Sequence, residues 1–292
     1  MRIEELKRIA RKRKLDLVLV ADQANIRALT GINCDSAVLK VSGSRFQVEL
    51  YTDFRYMPMV HRVAPKLKCC DLKRFGKGKR RPRRFNRIGY ESSISHARFL
   101  EWQKKFPKAK FVDISKDLAA IRAVKTSDEI AVLRAAEKLN CEIWETASGK
   151  FKAGMTERQM ARIIQKLMIE KGEGEAFATI VCVGKNAAEC HHEPDDTVWN
   201  GREPVLVDMG VKLNGVCSDL TRNLIPHPSS LYRKVYSLVL KANLAAIAAA
   251  KPGMTGRALD KVARDVIRKG GFGKCFGHSL GHGVGYEIHE AP

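Results

Sequence analysis

A segment that recurs at a fixed offset limits the folds open to this chain. Gly154-Met-Thr-Glu-Arg and Gly253-Met-Thr-Gly-Arg stand 99 residues apart. Each opens an amphipathic helix that closes on a glycine, Gly172 or Gly271, and each follows a longer helix, Thr126–Ser148 or Ser229–Ala250. Thr126 and Glu129 have the spacing of a capping box, in which each side chain serves the other's backbone N–H. The repeat therefore reads as two related α/β halves. In the first half the helices lead into extended segments, Ala178–Val183 and Pro204–Leu224. Moved forward by the repeat offset, the second of these passes Pro292, so the second half is expected to lack about a hairpin's worth of sheet.

The residues before this repeat form a different object. Short apolar runs at Leu15–Val20 and Ala37–Thr52 flank a helical stretch, Gln23–Leu29, and a further strand–helix–strand unit runs from Ile88 through Ser92–Phe106 to Phe111–Ile114. This pattern reads as an α/β domain over 1–122, followed by the repeated domain over 123–292. The charge divides similarly: residues 1–125 carry +19 of the total +21, and the remainder is close to neutral. Eleven of the basic residues lie in Lys66–Arg87 against the single Asp71, with glycines and Pro82 interleaved, so that run reads as an exposed loop. A basic surface of that size raises nucleic acid as a partner, with Phe75 and Phe85 as the available stacking platforms.

With 45% hydrophobic and 29% charged residues the chain excludes wholesale disorder and a collagen-like repeat. Eight cysteines without a C-x-x-C pair read as reduced thiols. Met1–Lys14 lacks the apolar stretch of a secretory signal, and no run approaches the ~20 apolar residues of a membrane span. The expected setting is the cytoplasm.

Chemistry concentrates around one turn. Asn214-Gly215 is a strong hairpin signal, because both residues tolerate positive φ. A two-residue turn sets Leu213 opposite Val216 and Gly210 opposite Asp219, which leaves Asp208 and Asp219 as diagonal neighbours on one face. Gly210 is expected to leave open space between them. Two carboxylates so close on an apolar hairpin repel each other, and a divalent cation removes that cost. The late stretch from Gly277 to Pro292 adds His278, His282 and His289 in a glycine-rich frame, and His191-His192 lies just before the hairpin. His278 and His282 have the spacing of a zinc helix, but no glutamate follows His278 and the glycines disfavour helix, so a zincin is excluded.

These residues, with Ala28-Leu-Thr-Gly31, Leu50-Tyr-Thr-Asp-Phe-Arg-Tyr56, Ile121–Ile130, Ser218-Asp-Leu-Thr-Arg222, Gly281-His-Gly283 and His289-Glu290, resemble the pita-bread metallopeptidases. The likeness is to the branch of Xaa-Pro dipeptidases (prolidases) and aminopeptidase P, and it covers nearly the whole chain. It implies a creatinase-type N-terminal α/β domain followed by a pseudo-two-fold pita-bread domain, incomplete at its C-terminal end. It further implies that Asp208, Asp219 and His282 are metal ligands, Asp219 bridging two ions. His191 and His289 become the substrate-side histidines and His278 a supporting residue. The cofactors implied are two divalent metal ions, Mn²⁺ first, with Zn²⁺ or Co²⁺ as alternatives. The reaction implied is hydrolysis of an Xaa-Pro bond, the partner being a proline-containing peptide and, as in dimeric family members, a second copy. The family also supplies two glutamates after the histidine motif. Both would fall beyond Pro292, so weak metal binding and impaired hydrolysis are expected of the 292 residues. The rival expectation is a non-catalytic pita-bread module that holds nucleic acid, or another acidic partner, through its basic first domain.

Overall fold

The computed structural model describes residues 2–42, 46–76 and 85–292. The contacts divide the chain after Lys125 into two compact units. The first contains α1 (Arg2–Lys12), β1 (Leu17–Val20), α2 (Gln23–Thr30), β2 (Ala37–Ser42), β3 (Gln47–Thr52) and α3 (Met57–Val63). It continues with β4 (Lys68–Asp71), β5 (Arg87–Tyr90), α4 (His96–Lys105), β6 (Lys110–Asp113) and α5 (Ser115–Ala123).

Its strands form one mixed sheet in the order β4-β3-β2-β1-β5-β6. β1 is central and wholly buried, so its successive side chains serve opposite faces. Val18 and Val20 join Leu6, Ala10, Ile26, Leu118 and Ile121 from α1, α2 and α5. Leu17 and Leu19 join Ile88, Phe75 and Trp102 of α4.

The two ends of the basic run depart from the exposed loop expected of it. Lys68 opens β4, which pairs in parallel with β3, and Arg87 opens β5. Phe75 is only 4% exposed; its ring meets Tyr51 at 5.2 Å and carries the Lys105 ammonium at 4.7 Å. Phe85 packs edge-on against Phe106 at 5.8 Å. Phe75 is thus buried as cover for the second sheet face and is not free to stack on a base, while Phe85 is partly buried against the same cluster. Lys79–Arg84, the densest part of the run, lies outside the described residues.

The second unit holds α6 (Ser127–Ser148), α7 (Glu157–Lys171), β7 (Ile180–Val183), β8 (Val205–Met209), β9 (Lys212–Leu213), β10 (Val216–Cys217), β11 (Leu220–Leu224), α8 (Ser230–Ala249) and α9 (Gly256–Lys269). The repeat is visible in the caps. Thr156 and Thr255, one offset apart, both cap the following helix, and Gly154 and Gly253 both take positive φ, 92° and 85°. Thr126 and Glu129 complete the capping box of α6.

The sheet β11-β8-β7 is antiparallel and packs against α6 and α7. Val205, Val207 and Met209 face those helices, so the period of two turns Leu206 and Asp208 to the other face. Helices α8 and α9 pack on each other through Ala242, Ala246, Ala263 and Ile267. Among the described residues the only pairing after α9 is an isolated bridge between Gly283 and Glu290. No helix of the described residues is long and apolar enough to cross a membrane.

Candidate metal centre

The hairpin that carries the two aspartates begins with its turn. Asn214 and Gly215 have φ of 45° and 64°, and Leu213 pairs with Val216 as the two-residue turn requires. Further along, Asp208 pairs with Thr221 and Met209 with Leu220. The same register therefore runs through both ends and sets Asp219 opposite Gly210, diagonal to Asp208.

Between these ends the regular ladder is interrupted, and α6 fills the gap. Asn140, fully buried, donates through Nδ2 to Ser218 Oγ at 2.8 Å and accepts from Val211 N at 2.9 Å. Ser218 Oγ donates to the Val211 carbonyl at 2.7 Å. One turn earlier on α6, Glu137 Oε1 accepts from Asp219 N at 3.0 Å. The backbone of Asp219 is thus held by a helix as well as by its partner strand.

Gly210 does not leave the open space expected of it. A Cβ there would overlap the Ser218 carbonyl and the Phe177 ring, so glycine is required by close approach.

Asp219 is 28% exposed, and Oδ2 lies 3.4 Å from His282 Nε2. His282 Nδ1 is 3.0 Å from the Gly283 carbonyl, which can only accept. Two acceptors, a carboxylate oxygen and a carbonyl oxygen, thus face the two ring nitrogens of His282. His289 packs edge-on against His282 with ring centres 4.4 Å apart. Burial raises the Asp219 carboxyl above the ordinary aspartate range, the charge of Asp208 adds to this, and His282 opposes it. Asp208 itself accepts from Thr221 Oγ1 at 2.9 Å. Asp208 and Asp219 thus feel each other's charge on one hairpin face, with the His282 ring beside Asp219.

His191 and His278 are both exposed, and neither hydrogen-bonds to the aspartates among the described residues. His278 Nδ1 faces the carbonyl of Ser279 at 2.7 Å, and its ring lies against Phe276 at 5.1 Å. The segment it sits on is pinned by α9. Arg264 donates to the carbonyls of Phe276 and His278, and Asp260, which accepts from Arg264, also accepts from Leu280 N.

A second cluster escaped the reading of the sequence. Glu157, His192 and Asp195 place ligand-type atoms within 4.8 Å of one another, a group that Asp208, Asp219 and His282 do not form. Its carboxylate is already filled: Glu157 Oε1 accepts from Val183 N at 2.6 Å and Asn186 Nδ2 at 2.9 Å, and Oε2 from His192 Nε2 at 2.7 Å and Asp195 N at 3.2 Å. Four donors leave no position for a cation, so this group is a hydrogen-bonded hub. Asn140 and Glu137 were missed as well. The available signal was the phase of Asn140, which shares the buried stripe of Ala136, Ile143 and Ala147.

Comparison with known proteins agrees with this architecture. Residues 131–292 match the profile of Metallopeptidase family M24, and residues 2–124 match the Creatinase/Prolidase N-terminal domain. An Xaa-Pro dipeptidase of Lactobacillus helveticus is 45% identical over 144 residues, 48% of this chain and 39% of that protein. The Xaa-Pro dipeptidase of Pyrococcus furiosus is 40% identical over 158 residues, 52% of this chain and 45% of that protein. The matched stretch thus spans less than half the length of either relative.

Among solved structures, an Xaa-Pro dipeptidase from Bacillus anthracis superposes with a TM-score of 0.90 at 26% identity, covering 100% of this chain and 83% of the other. The prolidase from Pyrococcus furiosus gives 0.89 at 30% identity, covering 98% and 84%. The fold is a creatinase-type N-terminal domain followed by a pita-bread domain, and the chain belongs to metallopeptidase family M24.

Proposed function

We propose that the chain is a metal-dependent exopeptidase acting on Xaa-Pro bonds, with Asp208, Asp219 and His282 as ligands to two divalent cations, Mn²⁺ first among them. The observation that carries this reading is the approach of His282 Nε2 to Asp219 Oδ2 at 3.4 Å, beside a second carboxylate on the same hairpin face. Cations held there would acidify a bound water and polarise a scissile carbonyl. The protein's own part is positional. Asp219 is set by Glu137 and by the hairpin register, and His282 is set by its hydrogen bond to the Gly283 carbonyl.

His289 and His191 are assigned to the substrate side. His289 is exposed with its ring against His282, and His278, on the same glycine-rich stretch, is assigned a supporting role. Imidazole N–H groups at those positions stabilise the oxyanion that forms when water adds to the carbonyl. An Xaa-Pro bond is a tertiary amide without N–H, so recognition depends on ring shape and the free chain terminus. Three side-chain ligands form a sparse shell for two ions, so binding to these 292 residues is expected to be weak.

The test is release of proline from an Xaa-Pro dipeptide at millimolar Mn²⁺. Slow, Mn²⁺-dependent hydrolysis that disappears in Asp219→Asn supports the reading. Absence of both hydrolysis and Mn²⁺ binding in the unsubstituted chain overturns it.

A further inference from the structure

The buried hub on α7 acts on the loop that carries His191. Glu157 is the first residue of α7, fully buried, and faces His192, itself only 8% exposed. Its carboxylate grips three points of one loop: Val183 N at the end of β7, His192 Nε2, and Asp195 N. The backbone joins in, with Glu157 N donating to the Thr197 carbonyl at 3.1 Å and Arg158 N to the Asp195 carbonyl at 3.1 Å. Asn186, on the same loop, donates to Glu157 and to Thr197 Oγ1.

His192 is tied on its other side too. Nδ1 lies 3.3 Å from Glu189 Oε2 and its own N–H donates to the Glu189 carbonyl at 3.2 Å. Burial works against the charged ring, but the hydrogen bonds to Glu157 and Glu189 outweigh it, so His192 is held above the ordinary histidine range. A buried carboxylate with every acceptor position filled tolerates little movement, because each lost partner leaves a desolvated polar group. The residue before it, His191, is exposed.

We propose that Glu157 and His192 are positioning residues that fix the 183–195 loop on α7 and thereby set His191 for reaction. This rests on the role given to His191 under the proposed function. Burying His192 on one side of the chain sends its neighbour outward, and the clamp at Val183 and Asp195 limits the swing of that neighbour.

The experiment is a double-mutant cycle on the Mn²⁺-loaded 292-residue chain, with Glu157→Gln, His191→Ala and their combination, read as kcat and KM for an Xaa-Pro dipeptide. Glutamine replaces one acceptor oxygen by a donor facing N–H groups, which opens the clamp. Each single variant is expected to lower kcat at least tenfold, with KM and Mn²⁺ affinity within twofold. The combination is expected to be no slower than His191→Ala within twofold, because the clamp has nothing left to position. His192→Gln, whose amide nitrogen takes the place of Nε2, is expected to keep kcat within threefold, whereas His192→Leu is not.

Losses that multiply in the combination, or an unchanged kcat in Glu157→Gln, overturn the proposal. If the unsubstituted chain neither hydrolyses the dipeptide nor binds Mn²⁺, the functional reading fails, and in that case, or where hydrolysis is too slow to measure, hydrogen exchange decides this one. Faster exchange confined to 183–195 in Glu157→Gln supports it, and unchanged exchange there overturns it.

Discussion

His282 Nε2 faces Asp219 Oδ2 at 3.4 Å while Nδ1 of the same ring is turned to the Gly283 carbonyl. A hairpin strand and a glycine-rich loop far along the chain thus meet through a carboxylate and an imidazole, and the repulsion between Asp219 and Asp208 has opposite consequences with and without a cation. Burial and the charge of Asp208 raise the Asp219 carboxyl, so at pH 7 the metal-free fold carries an unfavourable charge there. Asp219→Asn is expected to raise the melting temperature of the metal-free chain at pH 7. The same variant is expected to weaken Mn²⁺ binding at least tenfold by titration calorimetry. A melting temperature that falls without metal would contradict the account of that repulsion.

Asn140 gives a separate prediction, because it is the link between α6 and the interrupted ladder. Asn140→Ala removes its bonds to Val211 N and Ser218 Oγ, leaving buried groups short of partners at a cost of about 2 kcal/mol. Urea denaturation should show that loss, and Mn²⁺ affinity should fall with it as Asp219 loses its support. Stability reduced with metal affinity intact would separate the two roles assigned to Asn140.

Gly210→Ala tests the close approach directly. The added Cβ meets the Ser218 carbonyl and the Phe177 ring, neither of which can give way without moving the hairpin. The expected cost is about 3 kcal/mol, typical of overpacking in a well-filled site. Gly277→Ala, where an added Cβ meets nothing within 4 Å, is the control and should change stability by less than about 0.5 kcal/mol.

In the first unit, Glu91 predicts a pH dependence. It is 1% exposed; burial pushes its carboxyl up to about 7, against hydrogen bonds from Ala21 N and Asp22 N. Between the ordinary glutamate value, about 4.3, and this raised one, the folded state keeps a proton that the unfolded chain has lost. Stability therefore falls as pH rises through that window, by about 4 kcal/mol for a shift of this size, and levels off above about pH 7. Glu91→Gln is expected to flatten this part of the stability profile in urea denaturation at pH 4.5 to 7.5. An unchanged slope would show that Glu91 does not titrate there.

Much of this protein was legible before any coordinates, for identifiable reasons. Thr126, Thr156, Ser229 and Thr255 announce helix starts because a cap is a local contact, satisfied within three residues. Asn214-Gly215 set the hairpin register because a two-residue turn leaves one pairing, and that register put Asp208 and Asp219 on neighbouring positions. The repeat at 99 residues revealed two halves because both copies solve the same helix-start problem.

What tertiary structure alone decided are contacts between segments that no local rule connects. Asn140 reaching Val211, Glu157 reaching His192, and Phe75 turning inward from a basic run each answer a need created elsewhere: an unpaired backbone group, a loop without an anchor, a sheet face without cover. The chain's own periodicities determine which elements form and where they turn. Desolvation, acting only once those elements pack, determines which of their polar groups must find each other.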